Sequence, residues 1–389
     1  MKKLKFPKDF LWGTATSAYQ VEGGIENCDW SKVYPAGKAC DHYNRYEQDF
    51  DLLKKLNQNA YRFSIEWSRI EPEEGKFDQK EIEHYRQVLL ALKKRKIKSV
   101  VTLWHWTIPL WLAKKGGWIN KKAIDYFTRY TKVIVEELGD LIDFWLTLNE
   151  PMVHIGNGHL RGNFPPQEKN IFKARKVFNN LIEGHRKSYH AIHAKYPKAK
   201  VGITKLTNYF EPARKWCPLE RFIARFLHYQ WNHRFLKKIK NCLDYIGLDY
   251  YFHDRIVFYP PFKRNFNKIT SDLGWEIYPE GIYWVLKYLA NFEKPIYITE
   301  NGLADAKDKL RKDFIKNHLY WVHKAIEEGV DVKGYFHWSL MDNFEWDKGF
   351  DPRFGLIEID YKTLERKIRP SALFYAKICK ENALISCQN

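Results

Sequence analysis

The chain has 389 residues, 45% hydrophobic and 29% charged, a balance that excludes a disordered chain and suits either two ordinary domains or one barrel-sized domain. Lys and Arg outnumber Asp and Glu by 65 to 47, a net charge of +18. The basic residues are scattered through helix-like stretches such as Lys93-Lys94-Arg95-Lys96 and Lys237-Lys238, which argues for solvated faces and against a nucleic-acid partner.

Read in chain order, residues 1–7 begin with a basic run that charges and Pro7 interrupt at once, so no secretory signal is expected. A first strand is predicted at 10–14. Apolar or β-branched runs follow at 60–65, 98–104, 142–148, 200–205, 245–251, 295–299 and 332–338. Between them, helical spacing predicts helices near 46–56, 78–95, 121–138, 172–195, 218–240, 280–292 and 309–328, and a last one starting at Pro370. The most apolar stretch, 99–112, contains His105 and Pro109 and is too short to span a bilayer, so no membrane partner is expected. The six cysteines, Cys28, Cys40, Cys217, Cys242, Cys379 and Cys387, show no C-x-x-C spacing. Reduced thiols in a cytoplasm are the expectation, with no metal and no cofactor.

Strands separated by helices pair in parallel, and eight such units without a flexible linker predict one α/β domain over residues 1–389, a single (β/α)8 TIM barrel. A doubly wound sheet would carry a Gly-rich phosphate turn after an early strand, which Gly13-Thr14-Ala15-Thr16 does not supply. In a barrel the active site lies where strands end at their C-termini. Polar residues crowd those ends: Gln20, Arg62, Glu66, His105, Asn149, Glu150, Asp249, Glu300, Asn301 and, after the eighth strand, Trp338. Aromatics are plentiful, with 15 Trp, 24 Tyr and 25 Phe, and some of those rings are expected to line a site.

Glu150 and Glu300 each follow an apolar run, in Thr147-Leu148-Asn149-Glu150-Pro151 and Thr299-Glu300-Asn301-Gly302. Two carboxyls facing each other across a barrel mouth are what glycosidic bond cleavage needs, one protonating the leaving oxygen and the other supporting the cationic sugar. At these residues the chain resembles glycoside hydrolase family one, whose T-x-N-E-P and T-E-N-G motifs they match. The resemblance extends from Phe6-Pro7-Lys8-Asp9-Phe10-Leu11-Trp12-Gly13 to Arg369-Pro370-Ser371.

The resemblance implies a retaining, exo-acting β-glycosidase for small soluble glycosides, glucosides first and galactosides or fucosides close behind. In it Glu150 is the general acid/base and Glu300 the nucleophile, with Arg62 and Tyr251 keeping Glu300 ionised. Gln20, His105, Trp106, Asn149, Trp338, Glu345 and Trp346 would bind the sugar. A phosphorylated substrate is a rival, with Lys348 and Arg353 as nearby cations, and a catalytically dead sugar-binding relative is another. The acidic Glu345 would repel a phosphate, and both glutamates are retained. Three departures stand out: Gly247-Leu248-Asp249-Tyr250-Tyr251 has an acid where the family pattern reads G-L-N-Y-Y, and the chain is contracted between Trp231 and Asp244 and after Gly23. An altered pH optimum and a more open aglycone side are the expectations. The oligomeric state is left open.

Overall fold

The computed structural model describes residues 2–386. Eight parallel strands close into a barrel: β1 (Leu11–Ala15), β2 (Ala60–Ser64), β3 (Lys98–Trp104), β4 (Phe144–Asn149), β5 (Val201–Leu206), β6 (Ile246–Asp249), β7 (Ile296–Asn301) and β8 (Val332–Trp338). Closure is made by β8 against β1, from Gly334 opposite Leu11 to Trp338 opposite Ala15. These strands are buried almost throughout because helices cover their outer side, so they read as continuous apolar runs rather than alternating ones.

The outer layer comprises α1 (His42–Lys55), α2 (Gln79–Lys94), α3 (Ala123–Leu138), α4 (Ile171–Lys195), α5 (Pro218–Leu227), α6 (Glu280–Leu289), α7 (Arg311–Glu327) and α8 (Pro370–Glu381). Their starts are chemically marked. Asp78 accepts from the amides of Lys80 and Glu81, Asn170 from those of Phe172 and Lys173, and Pro370 occupies the first turn of α8. The predicted helix 218–240 is interrupted: after α5 the chain forms a π-helical turn, His228–His233, before Arg234–Ile239 resumes the α form. A second π turn, Ile155–Arg161, follows the short helix after Glu150. Such turns alter which face a side chain occupies and concentrate near functional sites.

Inside the barrel a small cluster closes the floor. Phe144, Tyr245 and Tyr297 pack edge to face with centroids 5.1–6.0 Å apart. Gly13 leaves room for Phe336 there, since a Cβ at residue 13 would lie 2.6 Å from its ring.

Three small sheets went unrecognised in the sequence. Tyr209–Pro212, His253–Ile256 and Lys263–Arg264 form one beside the mouth, Ile357–Ile359 pairs with Arg366–Ile368, and Lys2–Lys5 pairs with Ala383–Ser386. Runs of two to four residues carry too little periodicity to be told from loops. Cys28, Cys40, Cys217, Cys242 and Cys379 are buried free thiols, and Cys387 lies outside the described residues. Among the described residues no helix is long and apolar enough to cross a membrane.

Candidate active site

Glu150 follows the last residue of β4 and has a left-handed backbone, φ +40°, which turns the chain into the helix Pro151–His154. Its amide donates to the Thr204 carbonyl at 2.9 Å. Glu300 lies within β7, which runs to Asn301, two residues beyond the predicted end. Lateral pairing sets Glu300 opposite Asp249 of β6. One oxygen each from Glu150, Asp249 and Glu300 all lie within 4.8 Å of one another.

Arg62 of β2 binds this group together. Its Nη1 donates to Glu300 Oε1 at 2.5 Å, its Nη2 to Asn149 Oδ1 at 2.5 Å and its Nε to Thr102 Oγ1 at 3.2 Å, so one planar fork ties four strands. Tyr251 donates to the other Glu300 oxygen at 2.8 Å. Asp249 Oδ1 accepts from Thr299 Oγ1 at 2.7 Å and stands 3.9 Å from Arg62, whereas its buried Oδ2 has no partner among the described residues.

Sequence reasoning missed Lys205. It is fully buried in β5, donates to the Leu206 carbonyl and stands 5.4 Å from the centre of the Trp231 ring. The signal for it was a lysine at the end of an otherwise apolar strand, where a buried ammonium needs nearby anions. Burial pulls its pKa down to about 7, opposed by Glu150 and Asp249. A trio of carboxylates this close is also a donor set for a hard cation; here Arg62 and Lys205 bring positive charge to the same place.

Burial raises all three carboxyls, but they are not equivalent. Glu150 is driven well above the carboxylate range by burial, then by Asp249 and Glu300, with only weaker opposition from Lys205 and Arg62. Asp249 is raised by burial and by Glu300, against Arg62 and the Thr299 hydroxyl. Burial raises Glu300 too, but the contacting guanidinium and the Tyr251 hydroxyl counter it directly. Burial and the neighbouring acids thus favour the protonated form most at Glu150, while direct contact with Arg62 and Tyr251 favours the charged form most at Glu300.

A cavity of about 450 Å³ opens above the carboxylates, and Gln20, His105, Trp106, Asn149, Glu150, Tyr251, Glu300, Trp338, Glu345 and Trp346 all line it. Arg62 and Asp249 lie beside Glu300 without lining the cavity. Because Asn149 Oδ1 accepts from Arg62, its amide nitrogen faces His105 Nε2, 3.0 Å away, and the imidazole carries its proton on Nδ1. Burial and Arg62 keep His105 neutral, far below its usual pKa. Gln20 donates to the Phe344 carbonyl at 2.8 Å and to Asn343 Oδ1 at 3.0 Å, joining the first loop to the last. The Trp106 indole donates to the Asn149 carbonyl at 3.1 Å, and its ring packs on Trp346 with centroids 4.7 Å apart. Trp106 and Trp346 share the left-handed backbone of Glu150, at φ +75° and +53°, a strain that surrounding packing must hold. Glu345 is half-buried, and its carboxyl is pushed up to about 8 by desolvation and then by Glu300.

Further lining residues were not among the site residues expected from the sequence, among them Phe210, Trp231, Lys263 and Trp275. They sit on the segments between β5 and β7, whose approach to the mouth only the fold determines. Of the two nearby cations, Lys348 lines the cavity but pairs with Asp347 at 2.8 Å, whereas Arg353 turns away to Asp342 and the Ile359 carbonyl.

Comparison with known proteins identifies the family. The family model for glycosyl hydrolase family 1 matches residues 2–240 and 232–384. Beta-glucosidase A of Thermotoga maritima is 35% identical over an alignment of 449 positions that covers 99% of this chain and 100% of that protein. Since this chain has only 389 residues, the alignment length requires gaps in it, in keeping with the contractions read from its sequence. A beta-galactosidase of Sulfolobus acidocaldarius is 31% identical, covering 98% of this chain and 96% of its own. Among solved structures, a beta-glycosidase from Pyrococcus horikoshii superposes with a TM-score of 0.94 at 40% identity, over 99% of this chain and 97% of that one. The Thermotoga maritima beta-glucosidase in complex with glucoimidazole gives 0.93 at 34% identity, over 98% and 100%. The chain belongs to glycosyl hydrolase family 1 and is a glycoside hydrolase built on a (β/α)8 barrel.

Proposed function

We propose that the chain, acting as one catalytic domain over residues 1–389, is a retaining, exo-acting β-glycosidase of the cytoplasm that prefers small soluble β-glucosides and needs no cofactor. Galactosides and fucosides are its secondary substrates. The observation that carries this reading is the spacing and asymmetry of the two glutamates. Their oxygens lie within 4.8 Å, in keeping with the close carboxyl spacing of about 5–5.5 Å in retaining enzymes rather than the roughly 6.5–9.5 Å that leaves room for an inverting water. Only Glu300 is clamped by Arg62 and Tyr251.

In this mechanism Glu300 attacks the anomeric carbon as Glu150 gives its proton to the departing glycosidic oxygen. Glu150, now a carboxylate, then takes a proton from water as that water displaces Glu300. Asn149, fixed by Arg62, keeps an amide hydrogen for the hydroxyl beside the reacting carbon. Gln20, His105, Trp106, Glu345 and Trp346 receive the outer hydroxyls, and Trp338 offers a flat apolar face. Relatives named beta-glucosidase and a neighbour holding glucoimidazole support glucose as the favoured sugar. A phosphorylated substrate is disfavoured, since Lys263 and Lys348 are already paired with Asp254 and Asp347 and Glu345 adds an acid.

A panel of nitrophenyl α- and β-glycosides, with the 6-phosphates included, tests the assignment. The β-glucoside should be cleaved fastest, with the β anomer as first product by proton NMR and no α-glycoside hydrolysis; a first-formed α anomer or a preference for the 6-phosphates overturns it. The contracted loops lead to the further expectation that bulky aglycones are tolerated, which strict selectivity for one small aglycone in the same panel would refute.

Asp249 should leave its mark on the pH profile. Glu150 must be protonated to act as acid, so activity falls as pH rises through its pKa, and the Asp249 charge raises that pKa. Asp249→Asn removes the charge and is expected to move the alkaline limb of kcat/KM to lower pH by about one unit. A limb that stays in place would mean that Asp249 is uncharged across that range.

A further inference from the structure

Among the described residues, ten of the sixteen exposed large hydrophobic residues fall within residues 216–269, on segments that follow β5 and β6 and so lie on the barrel's mouth side. Helix α5 presents its apolar stripe, Leu219, Phe222 and Phe226, to solvent, continued by Tyr229, while its inner side buries Ala224 and the ion-paired Glu220. The orientation is the reverse of what a core-facing helix needs. Phe258, Phe262, Phe266 and Ile269 in the loop after His253–Ile256 are exposed as well. The two segments meet at Arg214, which pairs with Glu220 and lies 5.1 Å from the Phe258 ring and 5.4 Å from that of Trp216.

Charge is arranged around these rings with one sign. Lys215, Arg221, Arg225, Arg264 and Lys268 make no ion pair among the described residues, and residues 258–270 contain no acid. An exposed aromatic stripe flanked by unpaired cations fits the boundary between lipid headgroups and acyl chains, where rings enter the apolar layer and cations meet anionic headgroups.

We propose that helix α5 and the 258–269 loop form a docking surface for an anionic lipid bilayer, holding the catalytic mouth beside the membrane without any spanning segment. A second copy of the chain is the poorer occupant, because apposing two such faces would bring like charges together. Leu227 and Lys263 line the catalytic cavity as well, so the surface runs continuously into the rim of the site. The sequence gives no membrane partner because no segment is long enough to span; surface attachment is a separate property, carried by residues that periodicity alone assigns to a core.

Vesicle sedimentation with the full chain tests this, using phosphatidylcholine alone and phosphatidylcholine mixed with phosphatidylglycerol. Binding should be confined to the mixed vesicles, weaken with added salt, and drop by about tenfold or more in Phe222→Ser/Phe226→Ser and in Arg221→Ser/Arg225→Ser. Unchanged thermal unfolding of both variants excludes misfolding as the cause. Failure to bind the mixed vesicles, or variants that bind like the parent, overturns the proposal. So does self-association in sedimentation velocity that the Phe variants abolish, since the face would then be a contact between copies.

Discussion

Glu300→Gln is expected to abolish turnover, with kcat on a nitrophenyl β-glucoside falling by on the order of 10⁴- to 10⁶-fold, the scale of losses when a covalent nucleophile is removed. The substitution preserves shape. The Gln carbonyl oxygen can still accept from Arg62 Nη1, and the Tyr251 hydroxyl, 2.8 Å from the second position, can rotate to accept from the new amide. What disappears is the negative charge that bonds to the anomeric carbon, so the fold should survive and the chemistry should not. Incubating the parent enzyme with a fluoroglucoside that stalls after the first step should trap the sugar on the peptide holding Glu300, read by mass spectrometry. A Gln variant retaining more than about a hundredth of the parent rate, or a label on another residue, would remove Glu300 from the nucleophile's role.

The proposed catalytic pair was legible before any coordinates because its signal is local. Glu150 and Glu300 each follow a strand-like run, and the residues on either side complete recognisable motifs. The barrel was legible for a related reason: eight buried runs separated by helical patterns leave few other arrangements, and strands 98–104 and 332–338 coincide with their predicted bounds. What stayed hidden depends on contacts distant in sequence. The resemblance implied Arg62 beside Glu300, but nothing near Arg62 in the sequence indicates that the same guanidinium also reaches Asn149 and Thr102. Lys205 reads as a strand terminus until β5 and β6 are laid side by side, and only then does it become a cation near Asp249.

Helix α5 shows the same limit from the other side. Helical spacing located it, but spacing cannot say which face is covered, and here the apolar stripe is the exposed one. The π turn at His228–His233 is equally invisible to a 3.6-residue period, although Trp231, which it carries, both lines the cavity and faces Lys205.

Glu150→Ala should separate the two chemical steps. With a dinitrophenyl leaving group, which needs no proton, the first step should proceed near the parent rate; with an alkyl or unsubstituted phenyl leaving group it should fall by roughly 10²- to 10⁴-fold, the usual worth of general acid catalysis. The second step slows for every substrate because water has lost its base, so the glycosyl-enzyme accumulates and added azide should restore turnover by forming the β-glycosyl azide. Equal losses for all leaving groups would count against Glu150 as the acid. Asp249 supplies an internal control, since its carboxylate lies within 4.8 Å of Glu150 in the intact site. If Asp249 can take over proton transfer, Glu150→Ala will keep a pH-dependent residual rate that Glu150→Ala/Asp249→Asn lacks. Asp249 Oδ1 is engaged by Thr299 and its Oδ2 is buried, and Asp249 does not line the cavity. The double variant is therefore expected to match the single one, with Asp249 acting on the reaction only through the pKa of Glu150.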